Sequence, residues 1–79
     1  MSVRIENDDV ADLPPSAKLV YYHLQSDAPS TQQDIAAATA LPIRTVRSAL
    51  ARLDEVGAVA SEPNFEDTRQ KLYRPVDPS

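Results

Sequence analysis

The chain has 79 residues and a formal net charge of -4, from twelve acidic and eight basic side chains. That length holds one small domain and no second core, and the absence of cysteine excludes disulfides, thiolate metal sites and thiol nucleophiles. No apolar run approaches the roughly 20 residues needed to span a bilayer, and the polar, acidic start MSVRIENDDVADLPP is unlike a signal peptide, so a soluble cytoplasmic protein is expected.

Residues 1–12 read as an acidic leader ahead of a domain at 13–76, with 77–79 as a tail. Pro15-Ser16 suits a helix start, and Val20, Tyr21 and Leu24 follow Ala17 at i+3, i+4 and i+7, one face of a helix. That helix should stop near Ser26, because Asp27-Ala28-Pro29 disfavours continuation. Leu19 and Tyr22 lie off its apolar face. Ser30 then offers an N-cap, with Gln33 completing a capping box, for a short helix over about 31–39 that buries Ile35 and Ala36. Ala40-Leu41-Pro42 form a tight connection, with proline in the first turn of the next helix.

From Ile43 the apolar residues Val46, Ala49, Leu50, Leu53 and Val56 keep helical spacing, predicting a helix over 43–56. Gly57, the only glycine, sits where a C-terminal cap takes the left-handed conformation. Beyond it the period changes. Residues 58–62 read as a short strand and 71–74 as its return, joined by a hairpin loop at 63–70 with no glycine to tighten it. The last residues, from Pro75, are expected to fray.

Positive charge falls in two short blocks. Residues 42–52 hold Arg44, Arg47 and Arg52 with no acid, and residues 68–79 hold Arg69, Lys71 and Arg74 against Asp77. Between them, residues 53–67 carry five acids and no base. The excess of aspartate over glutamate, with only Lys18 and Lys71 as lysines, suits a surface hydrated in concentrated salt and predicts a halophilic source.

Catalysis finds little support. His23 is the sole histidine, so a metal site has no partner ligands and a surface or interface position is expected. No carboxylates form a recognisable acid–base pair, and one glycine cannot build a phosphate-cradling loop. The expectation is no enzyme, no cofactor and no metal.

The order helix, short helix, tight turn, longer helix and hairpin resembles the winged helix-turn-helix of the MarR-like transcriptional regulators, here as a small stand-alone haloarchaeal type. The likeness is carried by TQQDIAAATALPIRTVRSALARLDEVGAV, where Ile35, Ala36, Val46, Leu50, Leu53, Gly57 and Val59 match the family run. The D-T-R of Asp67, Thr68 and Arg69 is similar to the charged tip of the family's wing. The resemblance covers about residues 13–76, and its helix-turn-helix part is the more specific.

It implies a mainly α fold with a small β-hairpin (α+β), three helices plus a wing, and sequence-specific binding of double-stranded DNA as a homodimeric transcriptional regulator. Helix 43–56 would enter the major groove, and wing 63–71 would meet the backbone or minor groove. The implied DNA contacts are Pro42, Ile43, Arg44, Thr45, Arg47, Ser48, Arg52, Arg69 and Lys71. With Val46, Leu50 and Leu53 inward, Arg44, Arg47 and Ser48 lie toward the other side. Arginine pairs with guanine O6 and N7, Ile43 suits a thymine methyl, Thr45 and Ser48 suit phosphate or base, and Arg52 suits phosphate. The acidic block would fall at the distal helix end and wing base, away from DNA or near its edge.

Other readings stand beside these. Arg52 can pair with Asp54 or Glu55, and Arg69 and Lys71 with Glu66 or Asp67. Leu19, Tyr22, Phe65 and Tyr73 either form a dimer interface with Val3, Ile5 and Val10 or pack locally. Where the family often has glycine before the turn's apolar residue, this chain has Ala40, so the turn either avoids the left-handed region or enters it with slight strain. No counterpart is expected within these 79 residues for the additional terminal helices through which larger MarR-like proteins dimerise and bind ligands, which leaves the dimer mode and any small-molecule effector open. The rival function is a winged-helix module that docks a protein without touching DNA.

Overall fold

The computed structural model describes residues 12–76, which form three helices and a two-stranded antiparallel hairpin. The elements are α1 (Pro15–Ser26), α2 (Gln32–Thr39), α3 (Ile43–Glu55), β1 (Val59–Glu62) and β2 (Leu72–Pro75). Val3, Ile5 and Val10 lie outside the described residues.

Helix α1 begins as its prolines dictate. The Pro14 carbonyl accepts from the N–H groups of Ala17 and Lys18 at 3.0 and 3.2 Å, and Pro15 takes the first helical position, where an N–H is not needed. Ala17, Val20, Tyr21 and Leu24 are buried, the face that the spacing predicts.

The cap of α2 corrects the sequence reading. Thr31, not Ser30, is the N-cap, and Asp34, not Gln33, closes the box: Thr31 Oγ1 accepts from the Asp34 N–H at 3.1 Å and Asp34 Oδ2 from the Thr31 N–H at 3.2 Å. Ser30 is unavailable because it is used elsewhere. It is buried, its hydroxyl donates to the Asp27 carbonyl, and its backbone pairs with Tyr73. Helix α2 buries Ile35 and half-buries Ala36. It ends at Ala40, which takes a φ of 61°, so of the two turns open to an alanine the chain adopts the left-handed one. That conformation costs an L-residue about 1–2 kcal/mol.

Pro42 stands one position before the first turn of α3, as its N-cap, and its carbonyl accepts from Thr45 and Val46 at 2.9 and 3.0 Å. At the other end the helix stops at Glu55, with Val56 as C-cap and Gly57 at a φ of 72°. The Gly57 N–H donates to the Asp54 carbonyl at 3.0 Å and the Ala58 N–H to the Leu53 carbonyl at 2.8 Å, a Schellman closure that only a left-handed residue permits.

The core lies between the three helices and the start of β1. Ala17, Val20, Ile35, Val46 and Leu53 have no exposed surface, and Tyr21, Leu24, Ala49, Leu50, Ala58 and Val59 complete the cluster. Burying each of the larger side chains contributes roughly 1.5–3 kcal/mol.

In the hairpin Val59 pairs with Pro75, Ala60 with Arg74, Ser61 with Tyr73 and Glu62 with Leu72. Strand β1 starts one residue later than the pattern predicts, because the Ala58 N–H closes α3. Strand β2 is likewise shifted by one residue, to Leu72–Pro75, which leaves Lys71 in the loop. Of the two readings open to Tyr73, local packing is the one adopted: it lies half-buried against the core, and Ser30 pairs with it from the α1–α2 connection. Leu19, Tyr22 and Phe65 remain exposed, at 45%, 60% and 90%.

Candidate nucleic-acid interface

Two rows of side chains run along the solvent side of α3, and helical spacing separates them. Arg44, Ser48 and Arg52 succeed one another at i+4 on the outward face, and all three are exposed. Ile43, Arg47 and Asp54 lie on the flank that faces the hairpin. Pro42 is exposed at the leading end and Thr45 is half-buried.

The flank and the hairpin enclose a groove of about 400 Å³. Ile43 and Arg47 line it from α3, Arg69, Gln70 and Lys71 from the hairpin, and Gln32, Gln33 and Tyr73 between them. The fold thus brings the two basic blocks of the sequence to one surface. Of the nine predicted contact residues, Ile43, Arg47, Arg69 and Lys71 meet there. Pro42, Arg44, Thr45, Ser48 and Arg52 do not line it.

The loop between the strands is ordered by carboxylate and amide side chains in place of the missing glycine. Asn64 Oδ1 accepts from the Glu66 N–H at 3.0 Å, and Asp67 Oδ1 accepts from the Arg69 N–H at 3.1 Å, each two residues on. Asp67 Oδ1 also meets Arg69 Nε at 3.4 Å, its Oδ2 accepts from Gln70 Nε2 at 3.2 Å, and its carbonyl from the Gln70 N–H at 3.0 Å. The Arg69 side chain nevertheless remains 90% exposed. The hairpin ion pair considered for Arg69 exists, therefore, and it orders a guanidinium that still faces solvent.

Arg74 is paired differently. Its Nε lies 3.3 Å from Glu62 Oε1 across the strands, so its charge is spent within the hairpin. Among the described residues Arg52 forms no ion pair with Asp54 or Glu55.

The acidic block lies only partly where expected: Asp54 and Glu55 occupy the last turn of α3, at the distal helix end, but the block also reaches the basic surface. Asp67 lies within the basic loop, and Asp54 lines a second groove, of about 250 Å³, together with Arg47 and Lys71. The reason is helical: seven residues after Arg47, Asp54 returns to the same flank.

Four residues of this surface were missed by sequence reading as site residues: Gln32, Gln33, Gln70 and Tyr73. A glutamine in a helix or loop carries no local mark of a distant partner. His23 is half-buried at the end of α1, its Nε2 3.4 Å from Ser30 Oγ and away from the groove.

The sequence profile of the family described as sugar-specific transcriptional regulator TrmB matches residues 12–79. No curated protein matches the chain significantly. Among solved structures, the MarR family transcription regulator SP03579 is similar with a TM-score of 0.81 at 14% identity, over 98% of this chain and 50% of that one. The PcaV transcriptional regulator of Streptomyces coelicolor, in complex with its natural ligand, gives 0.79 at 20% identity over 95% and 54%. MepR of S. aureus, solved as a DNA complex, gives 0.77 at 22% identity over 92% and 63%. The chain spans about half of the first of these proteins and under two thirds of the others. At such identities the likeness is one of fold, and the fold is the winged helix-turn-helix that the order of elements implies. With the profile running through every described residue, the chain belongs to the TrmB family of transcriptional regulators.

Proposed function

We propose that residues 13–76 bind double-stranded DNA sequence-specifically, with α3 in the major groove and the hairpin loop on the backbone or minor groove. One observation carries this reading: Ile43 and Arg47 share a groove with Arg69 and Lys71 in a chain of net charge -4. Fold likeness to MepR, solved with DNA, supports the same assignment.

In this reading Arg44 and Arg47 read bases, each good bidentate pair with guanine being worth roughly 1–3 kcal/mol of discrimination. Ile43 meets a thymine methyl, and Thr45 and Ser48 hydrogen-bond to phosphate or base. Pro42 sets the leading end of α3, where no side chain caps the helix and the first N–H groups favour a phosphate. Arg52 and Lys71 neutralise phosphates. Arg69, held by Asp67, enters the minor groove and reads its width.

The chain acts in the cytoplasm as a homodimer, joined through the exposed Leu19 and Tyr22 of α1, and reads two half-sites. Its acidic balance is that of a halophilic protein. Because phosphate-driven binding weakens steeply with salt, base contacts and shape then supply most of the affinity. Selection of bound duplexes from a random-sequence DNA pool, at molar and at low salt, tests all of this. A palindrome is expected, and recovery of no common sequence at either salt overturns the reading.

A further inference from the structure

Gln32 is the first residue of α2, and its amide is engaged at both ends. Its Oε1 accepts from Arg47 Nε at 3.1 Å, and its Nε2 donates to the Tyr73 hydroxyl at 3.2 Å. Only one orientation of the amide serves both partners. Turned over, its NH₂ would face the Nε–H of Arg47, donor against donor.

The frame behind Gln32 is itself fixed. Tyr73 packs on the core, and its backbone exchanges hydrogen bonds with Ser30 at 3.0 and 2.8 Å, two residues before Gln32. Between them the Thr31–Asp34 capping box holds the turn. Arg47, by contrast, is an exposed long side chain, and this amide is its one protein hydrogen-bond partner among the described residues.

A guanidinium offers five donors in a planar fork. With Nε taken by Gln32, the side-on approach, which pairs Nε with one NH₂, is closed. The end-on approach, which presents both NH₂ groups, stays open toward the groove. Two coplanar donors at that spacing match the O6 and N7 acceptors of guanine.

We infer that Gln32 is a positioning residue for Arg47. Backed by Tyr73, it holds the guanidinium so that Arg47 reads guanine end-on, and it makes strand β2 part of how α3 selects sequence. The inference rests on the proposed reading of DNA by Arg47. Gln32 acts by removing side-chain freedom before binding, an effect worth roughly two- to tenfold in affinity for one long side chain.

A double-mutant cycle on the full chain tests it, with duplexes recovered by the wild type from a random-sequence pool as the probe. Affinity is measured by fluorescence anisotropy at one salt concentration for wild type, Gln32→Ala, Arg47→Ala and the double variant. Gln32→Ala should weaken binding roughly two- to tenfold, relax the preference at one guanine, and lose its effect once Arg47 is alanine. Tyr73→Phe, which keeps the ring in place, should act in the same direction and more weakly. In the free protein, solvent exchange of the Arg47 Nε–H, followed by NMR, should be slow in the wild type and fast in Gln32→Ala. An equal loss from Gln32→Ala in both backgrounds would mean that Gln32 touches DNA itself, and no loss would mean that it positions nothing. Either result overturns the inference and leaves the role of Arg47 standing. If Arg47→Ala binds as the wild type does, or the wild type recovers no sequence, the DNA reading of Arg47 falls and the inference falls with it.

Discussion

Ser30 and Tyr73 exchange both of their backbone hydrogen bonds, although one lies in the connection after α1 and the other in the last strand. This pairing gives the hairpin a third, minimal strand and fastens it to the start of the helix-turn-helix. The hairpin therefore does not hang from β1 alone, since β2 is also tied to the α1–α2 connection.

The first prediction concerns the leading end of α3. Arg44→Ala combined with Arg47→Ala removes two exposed side chains and no core contact, so the thermal melt should shift by no more than about 0.5 kcal/mol in stability. Sequence-specific affinity should fall by about 2–6 kcal/mol, the sum of two guanine contacts. Gel shifts with the selected duplexes and circular-dichroism melts of both proteins decide this.

Arg52 should behave differently from those two. In the phosphate role proposed for Arg52, Arg52→Ala should weaken binding to all sequences alike and lower the slope of log affinity against log salt by about 1. A change in base preference with an unaltered slope would reassign it to direct readout.

Asp67 sets two effects against each other. Asp67→Ala removes a negative charge from the basic surface, which favours any polyanion, but it also releases Arg69 and Gln70 and opens the turn. Binding to arbitrary DNA should tighten slightly while binding to the selected sequence weakens about two- to tenfold, the cost of ordering a side chain on binding. Titrations against the two kinds of duplex separate these effects.

Backbone geometry yields a mirrored pair. Ala40 holds a φ of 61° and Gly57 a φ of 72°. Ala40→Gly should stabilise the chain by about 1 kcal/mol by relieving the left-handed strain, and Gly57→Ala should destabilise it by about the same amount. A Cβ at Gly57 would meet nothing within 4 Å, so conformation and not crowding accounts for the loss. Denaturant midpoints in opposite directions are the expected result.

The corrected cap can be checked in the same way. Thr31→Ala should cost about 1 kcal/mol, which in a domain of this size lowers the melting temperature by roughly 4–8 °C. Gln33→Ala, the residue that the sequence pattern nominates for the box, should leave the melt unchanged. The reverse order of effects would restore the cap to Ser30.

What could be read from the chain was what neighbours in sequence decide. The three helices follow from i+3 and i+4 apolar spacing, and their ends follow from Pro15, Gly57 and the stop after Ser26, because a helix is built from contacts four residues apart. Even there a one-residue slip arose at α2. Ser30 and Thr31 are chemically equivalent caps, and Ser30 is withdrawn by its hydroxyl's bond to the Asp27 carbonyl together with its backbone pairing with Tyr73. The basic character of residues 42–52 was legible for the same reason: on a helix, position in sequence sets position around the axis.

The site itself needed the tertiary structure. That Arg47 meets Gln32, that Lys71 and Arg69 lie across a groove from Ile43, and that Asp54 and Asp67 sit inside the basic surface all depend on which flank of α3 the hairpin covers. Burial of Val59, Ala58 and Tyr73 against the helices decides that, together with the two hydrogen bonds from Ser30. Local propensity and charge pattern fixed the elements and their charges. The burial of apolar surface between distant segments decided which of those charges face one another.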